Sequence, residues 1–91
     1  MFNILGYDVE QKIYEGTKTT IYSGVRLIDS VPVLFKLLYA EYPDLHDVNK
    51  FKKEYELNQL INSDNIVKIH NIEYYEKTPV LILVEYHYRK F

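Results

Sequence analysis

The 91-residue chain carries a formal net charge of −2, with 47% apolar and 26% charged residues, which fits one small globular domain with a single core. Both signs of charge are interspersed, so no basic field is available for nucleic acid or an anionic membrane, and we expect neither partner. The absence of cysteine excludes disulfides and thiol chemistry and favours a cytoplasmic setting.

Two alternating segments predict a hairpin at the start of the chain. Residues 7–14 and 20–28 each alternate between apolar and polar side chains, as half-buried strands do. The polar segment 15–19 between them contains a glycine and has the length of a hairpin loop. Gly24 within the second strand predicts a bulge or a bend.

The third predicted strand, residues 31–39, is an apolar run with Lys36 near its middle. A continuous run of β-branched and aromatic residues predicts a strand that is covered on both faces. An unpaired buried ammonium group costs free energy, so Lys36 must reach either water or an anionic partner.

One helix and two further strands complete the pattern. Residues 47–62 lack Gly and Pro, and Asp44 or Asp47 can cap this helix. Its apolar positions recur every three or four residues: Val48, Phe51, Tyr55, Leu57, Leu60 and Ile61. Residues 66–75 and 80–86 read as strands. The sequence therefore predicts an α+β fold in a single domain (1–91), a twisted five-stranded antiparallel sheet with one helix between strands 3 and 4.

Two motifs in this order resemble the N-terminal lobe of the protein-kinase fold. The third strand contains Val33-Leu-Phe-Lys36, and the helix contains Phe51-Lys-Lys-Glu54, followed by Asn65-Ile-Val67. In kinases the strand lysine holds the α- and β-phosphates of ATP and pairs with a glutamate of the helix. The resemblance, which spans residues 7–87, thus implies that Lys36 and Glu54 are the catalytic pair.

Blander interpretations of this pair remain open at the level of sequence. A strand lysine is more often an edge residue that reaches water, and a Lys–Glu contact on a small domain is more often a surface pair, which contributes about 0–1 kcal/mol. Glu56 competes with Glu54 as the partner of Lys36, although Glu54 lies closer to the apolar stripe.

The first hairpin takes the place of the kinase glycine-rich loop. The family pattern is an apolar residue followed by Gly-x-Gly-x-x-Gly-x-Val, and here Tyr14 and Thr19 stand where two of the glycines are expected. Side chains there obstruct the approach of backbone amides to phosphate, so we expect weak ATP binding. The resemblance implies these loop contacts to the nucleotide: Ile13, Gly16, Thr17, Thr19 and Ile21.

The resemblance also implies an adenine pocket. Leu34 stands where the family usually has alanine, and alternation puts it on the same face as Lys36, which narrows the pocket. The segment 81–86 is similar to the fifth strand running into the hinge. This makes Val84 the gatekeeper and places the backbones of Glu85 and His87 at the adenine edge.

Motifs for phosphoryl transfer are missing from this sequence. Kinases take the catalytic aspartate from His-Arg-Asp and a metal ligand from Asp-Phe-Gly, and neither tripeptide occurs. No metal site is expected in the chain itself, since the histidines at 46, 70 and 87 lack ligand spacing; magnesium is expected only through an absent C-terminal lobe. We therefore expect the chain to be catalytically incomplete alone.

Three functions follow as hypotheses. The first is the ATP-binding lobe of a serine/threonine kinase-like domain, similar to those of bacterial multidomain sensor proteins, acting in signal transduction with a C-terminal lobe or a protein partner. The second is a pseudokinase-type interaction module with little or no nucleotide binding, and the third is an unrelated α+β domain. A lobe cut at the hinge exposes apolar surface, so self-association through the cleft face is also expected.

Overall fold

The computed structural model describes residues 2–38, 44–60, 69–76 and 78–84. Within them the elements are β1 (Tyr7–Glu15), β2 (Thr19–Arg26), β3 (Val31–Leu38), α1 (Leu45–Leu60), β4 (Ile69–Tyr75) and β5 (Thr78–Val84). The predicted α+β class, with a five-stranded antiparallel sheet and one helix between the third and fourth strands, is confirmed for this part of the chain. No described helix has the length and apolarity needed to cross a membrane.

Strand β3 lies at the centre of the sheet. The spatial order is β1-β2-β3-β5-β4, so β3 is hydrogen-bonded to β2 on one side and to β5 on the other. Successive side chains of a strand point to opposite faces, and residues paired across an antiparallel ladder share a face. We call the face that carries Lys36 the lysine face and the opposite one the aromatic face.

The aromatic face is covered by the residues that precede β1. Phe2 is 5% exposed and packs its ring against those of Tyr22, Phe35 and Tyr75, with centroids 4.9, 5.8 and 5.6 Å away. Buried residues of this core come from the chain start, β3 and β5: Phe2, Ile4, Val33, Phe35, Val80 and Ile82. The first residues of the chain therefore complete a core, although no element is predicted for them.

Helix α1 covers the lysine face. Its residue Phe51 is buried against Leu38, Ile69 and Leu81 of the sheet. Asp44 caps the helix, since its Oδ1 accepts a hydrogen bond of 2.8 Å from the Asp47 amide. This decides between the two predicted caps.

The C-terminal half of the predicted apolar stripe does not face the sheet. Leu57 and Leu60 are 51% and 81% exposed. At 100° per residue, Leu60 lies about 180° around the helix from the buried Phe51. The prediction is therefore wrong for Leu57 and Leu60, and among the described stripe residues the i, i+3, i+7 positions Val48, Phe51 and Tyr55 share a side, while Ile61 lies outside the described residues.

Two details of the first three strands differ from the predicted pattern. Strand β2 ends at Arg26, and the turn that follows exposes Leu27 and Ile28, which the prediction placed in the strand. Ser30 closes this turn with a φ of 59°. The bulge expected at Gly24 lies instead in its partner strand, between Val9 and Gln11, directly beside Gly24.

Gly24 is nevertheless required by close packing. A Cβ atom at this position would collide with the carbonyl oxygen of Asp8 and would lie 2.8 Å from the Phe35 ring. The absent side chain lets β1 and an aromatic ring of the core approach β2. Predicted strand or helix residues at 39, 61, 62, 66–68, 85 and 86 lie outside the described residues.

Candidate functional site

Lys36 and Glu54 are in contact. The Nζ atom of Lys36 lies 3.1 Å from Oε2 of Glu54 and donates a hydrogen bond to it. The same ammonium group lies 5.8 Å from the centroid of the Phe51 ring, within cation–π range. Because β3 is the central strand, Lys36 is not an edge lysine, and Glu54 rather than Glu56 is the partner given by the structure.

Packing of α1 explains why Glu54 reaches β3. Phe51 is 5% exposed and fixes one side of the helix against the sheet. Residues three apart on a helix are neighbours on its surface, so Glu54 projects from the same region as Phe51. The buried ring thus positions the carboxylate above the central strand.

The Lys36–Glu54 pair is accessible to a ligand. The side chains are 29% and 44% exposed, and ion pairs of this accessibility contribute only about 0–1 kcal/mol to stability. A lysine ammonium has three N–H donors, and Glu54 takes one of them. No second acceptor among the described residues takes a hydrogen bond from this ammonium group, which leaves donors for an anionic group, and phosphate oxygens are suitable acceptors.

Strand register brings several predicted contacts onto the lysine face. Ile21 of β2 lies opposite Lys36, and Thr19 lies opposite Leu38. Leu34 occupies the same face two residues before Lys36, as alternation predicts. The lysine is therefore flanked by apolar residues from β2 and β3, with α1 along the same face.

The hairpin between β1 and β2 is closed on itself. The amide of Gly16 donates a hydrogen bond of 2.7 Å to the carbonyl oxygen of Thr19. Tyr14 lies against Gly16, since a Cβ atom there would be 2.9 Å from the Tyr14 hydroxyl oxygen and 3.0 Å from its ring carbon Cε2. Gly16 thus provides the space for the Tyr14 ring, and its amide already donates a hydrogen bond within the hairpin. Thr17, at the tip, is exposed.

Two predicted pocket residues are not brought to this site. Val84 lies opposite Val33 on the aromatic face, whereas Leu83 lies opposite Leu34 on the lysine face. By this register Leu83, and not Val84, faces the lysine side of the sheet. Ile13 lies in a bulge of β1 between Lys12 and Tyr14 and is 51% exposed. The remaining predicted contacts, at positions 85 and 87, lie outside the described residues.

The structure contains a second ion pair near Lys36 and Glu54 that the sequence does not predict. Nζ of Lys18, at the hairpin tip, lies 3.6 Å from Oδ1 of Asp47 in the first turn of α1. Residues 29 positions apart, in a loop and in a helix, have no local signal that pairs them. The one available clue is that Asp47 stands seven residues, or two helical turns, before Glu54.

A polar cluster lies at the other end of the sheet. The Arg26 guanidinium donates to both oxygens of Asp29, with Nη2–Oδ2 at 2.8 Å, and its Nη1 lies 2.8 Å from Nε2 of His70. The hydrogen bond from Arg26 lowers the pKa of Asp29, while burial and then the charge of Arg26 lower the pKa of His70. Arginine only donates, so Nε2 of His70 accepts and the imidazole is neutral.

Neither these clusters nor other described residues form a metal centre, since no group of three His, Cys, Asp or Glu side chains among them is arranged to hold an ion. Comparison with known protein families finds no matching family model, and no curated protein matches the chain. A function therefore has to be inferred from the residues of the chain and their geometry. The arrangement that best indicates a function is the contact between Lys36 and Glu54, which lies beside Ile21 and Leu34.

Proposed function

We propose that the chain is the ATP-binding lobe of a serine/threonine protein-kinase-like domain. The observation that carries the proposal is the 3.1 Å contact between Lys36 of the central strand and Glu54 of the helix. In the kinase family, which the chain resembles, a strand lysine paired in this way holds the α- and β-phosphates of ATP. Lys36 takes that role here, and Glu54 positions it.

The surroundings of the pair support a nucleotide rather than a simple anion. Ile21, Leu34 and Leu83 line the lysine face, and all are partly exposed. Small-molecule sites combine apolar walls with a few placed polar groups. In this proposal the apolar residues contact the base, and the ammonium group of Lys36 binds the phosphates.

The chain supplies binding and not transfer. Phosphoryl transfer needs an aspartate to orient the acceptor and magnesium to neutralise developing charge, and the motifs that hold them in kinases do not occur in this sequence. We propose that a second lobe or a protein partner provides both, in a signalling protein. Contact between two copies through the lysine face is a further proposal for the isolated chain.

Thermal unfolding with Mg-ATP tests the proposal. At about ten times its Kd, Mg-ATP is expected to raise the Tm of the parent chain by roughly 5–10 °C, because ligand binds only the folded state. Lys36→Met should abolish this shift. Lys53→Met is the matched control, since Lys53 is exposed and lies on α1 on the side away from Phe51; it should keep the full shift.

A second candidate, a pseudokinase-type interaction module, is favoured by the closed hairpin. Tyr14 occupies the space above Gly16, and the Gly16 amide already donates to Thr19. A loop in this state offers phosphate no free amide at Gly16. The same experiment separates the two candidates: an unchanged Tm of the parent at millimolar Mg-ATP favours the interaction module.

A further inference from the structure

Two ion pairs join the sheet to the helix in the same way. Lys36 of β3 pairs with Glu54, and Lys18 of the hairpin tip pairs with Asp47. In each pair the sheet side supplies the cation and α1 supplies the carboxylate. Two further ion pairs, Lys12–Glu15 and Arg26–Asp29, are local, since each joins residues three apart.

The geometry of α1 sets the distance between the two cations. Asp47 and Glu54 are seven residues apart, which is close to two turns, so both carboxylates project from the same side of the helix and are separated by about 10 Å. Lys18 and Lys36 each lie within ion-pair distance of one of these carboxylates. Their ammonium groups are therefore on the order of 10 Å apart, along one side of α1.

The Lys18 pair is the one that a ligand can open. Its contact is 3.6 Å, and the Lys18 side chain is 75% exposed, against 3.1 Å and 29% for Lys36. Exposed ion pairs are weak and are screened by salt. Lysine also has a flexible four-carbon stem, so its ammonium group can move from Asp47 to a nearby anion while the hairpin stays in place.

We propose that Lys18 is a second phosphate-binding cation, held by Asp47 until a polyphosphate displaces that carboxylate. This inference rests on the proposed function of Lys36 as a phosphate ligand. An extended polyphosphate bridges two ammonium groups that bend toward it, whereas orthophosphate contacts one. The site thus selects ligands with several phosphate groups over a single phosphate.

Among the described residues of α1 and its cap, three carboxylates oppose an anion that contacts Lys18 and Lys36: Asp44, Asp47 and Glu54. Asp44 is engaged by the Asp47 amide as the helix cap, and Glu54 holds Lys36. Asp47 is the only one of these three that pairs with Lys18 in the described residues. Replacing it with asparagine both frees Lys18 and removes a repulsive charge, so the two effects have to be separated by experiment.

Calorimetric titration of the full chain with sodium triphosphate and with orthophosphate, at constant ionic strength, tests the proposal. Lys18→Met is expected to weaken triphosphate binding about threefold, and Asp47→Asn to tighten it about threefold, as for one charge-assisted contact near the surface. Lys18→Met should leave the Kd for orthophosphate unchanged, and Asp47→Asn should change it less than it changes the Kd for triphosphate. Lys18 is exposed at a hairpin tip, so its replacement leaves the fold intact.

Two further variants assign the effect to Lys18. In Lys18→Met/Asp47→Asn the gain from Asp47→Asn should fall to the small gain that the loss of one negative charge gives without Lys18. Asp44→Asn removes the same charge three residues away and preserves the cap, since Asn and Asp cap helices equally well; it should give a smaller gain than Asp47→Asn.

The possible outcomes separate this inference from the function on which it rests. If Lys36→Met weakens triphosphate binding but Lys18→Met does not, Lys36 keeps its role and the inference on Lys18 is overturned. The same holds if the full gain from Asp47→Asn persists without Lys18. If Lys36→Met leaves triphosphate binding unchanged, the proposed function fails, and the role of Lys18 fails with it.

Discussion

The two faces of the central strand differ in what they contribute. On the aromatic face, Val33 and Phe35 are 0% exposed and are covered by the first residues of the chain. On the lysine face, Leu34 and Lys36 are partly exposed and lie beside ion pairs to α1. Neighbouring residues of β3 therefore have separate tasks: one set holds the sheet in its core, and the other leaves a polar group accessible.

The largest expected effect compares two adjacent residues of β3. Phe35→Ala should lower the free energy of unfolding by about 3–5 kcal/mol, because it removes a fully buried ring and leaves a cavity. Lys36→Met should change it by less than about 1 kcal/mol, since its ion pair is partly exposed. Urea unfolding followed by circular dichroism measures both. Similar losses for the two variants would contradict the division between the faces.

A substitution in the hairpin between β1 and β2 is expected to increase the affinity of the lysine face for a nucleotide. Tyr14→Gly should tighten Mg-ATP binding by about tenfold, or about 1.4 kcal/mol, because it removes the ring that lies against Gly16. Tyr14→Phe keeps the ring and is expected to bind Mg-ATP as the parent does. Titration calorimetry measures the three Kd values; equal affinity of the glycine variant and the parent would show that Tyr14 does not obstruct the site.

The smallest expected effect is a pH dependence of the folding stability, and it arises away from the lysine face. The pKa of His70 is lowered in the folded chain by burial and by Arg26, so the unfolded chain binds this proton more readily. Stability from this group is therefore present above its ordinary pKa of about 6.5 and is lost as the pH falls below that value. Urea midpoints at pH 7.5 and 5.5 should differ more for the parent than for His70→Gln.

Asp29 belongs to the same cluster but acts in a different pH range. Its pKa is lowered chiefly by the hydrogen bond from Arg26, so its contribution is present above its ordinary pKa of about 3.9 and is lost only in more acidic solution. A pH dependence between 7.5 and 5.5 that survives undiminished in His70→Gln would therefore have to come from other groups. Such a result would contradict the role given to His70.

The parts of this structure that the sequence predicts are those with a short-range pattern. Alternation and turn residues predict the five strands, and the spacing of Phe51 and Glu54 predicts the carboxylate that contacts Lys36. The apolar run of β3 predicts a strand with cover on both faces, but it does not predict the place of β3 between β2 and β5.

The features that the sequence does not predict depend on long-range contacts and on the exact register of the strands. Whether Val84 or Leu83 faces Lys36 depends on a register of one residue, and a slip of one moves every side chain of a strand to the other face. The contact of Lys18 with Asp47 depends on how the hairpin leans toward α1. The sequence pattern assigns Leu60 to the buried side of α1, whereas the structure exposes it. Each residue advances 100° around a helix, so an apolar residue nine positions after Phe51 lies on the opposite side.

Phe2 and Ile4 have a practical consequence for handling the protein. Both belong to the core of the aromatic face, so removal of residues 2–4 would uncover the rings of Tyr22, Phe35 and Tyr75 and expose an apolar patch that favours aggregation. A purification tag fused directly ahead of Phe2 would be attached to a buried residue, and its chain would have to run from the core to the surface. Expression vectors for this chain therefore need a flexible spacer at that junction.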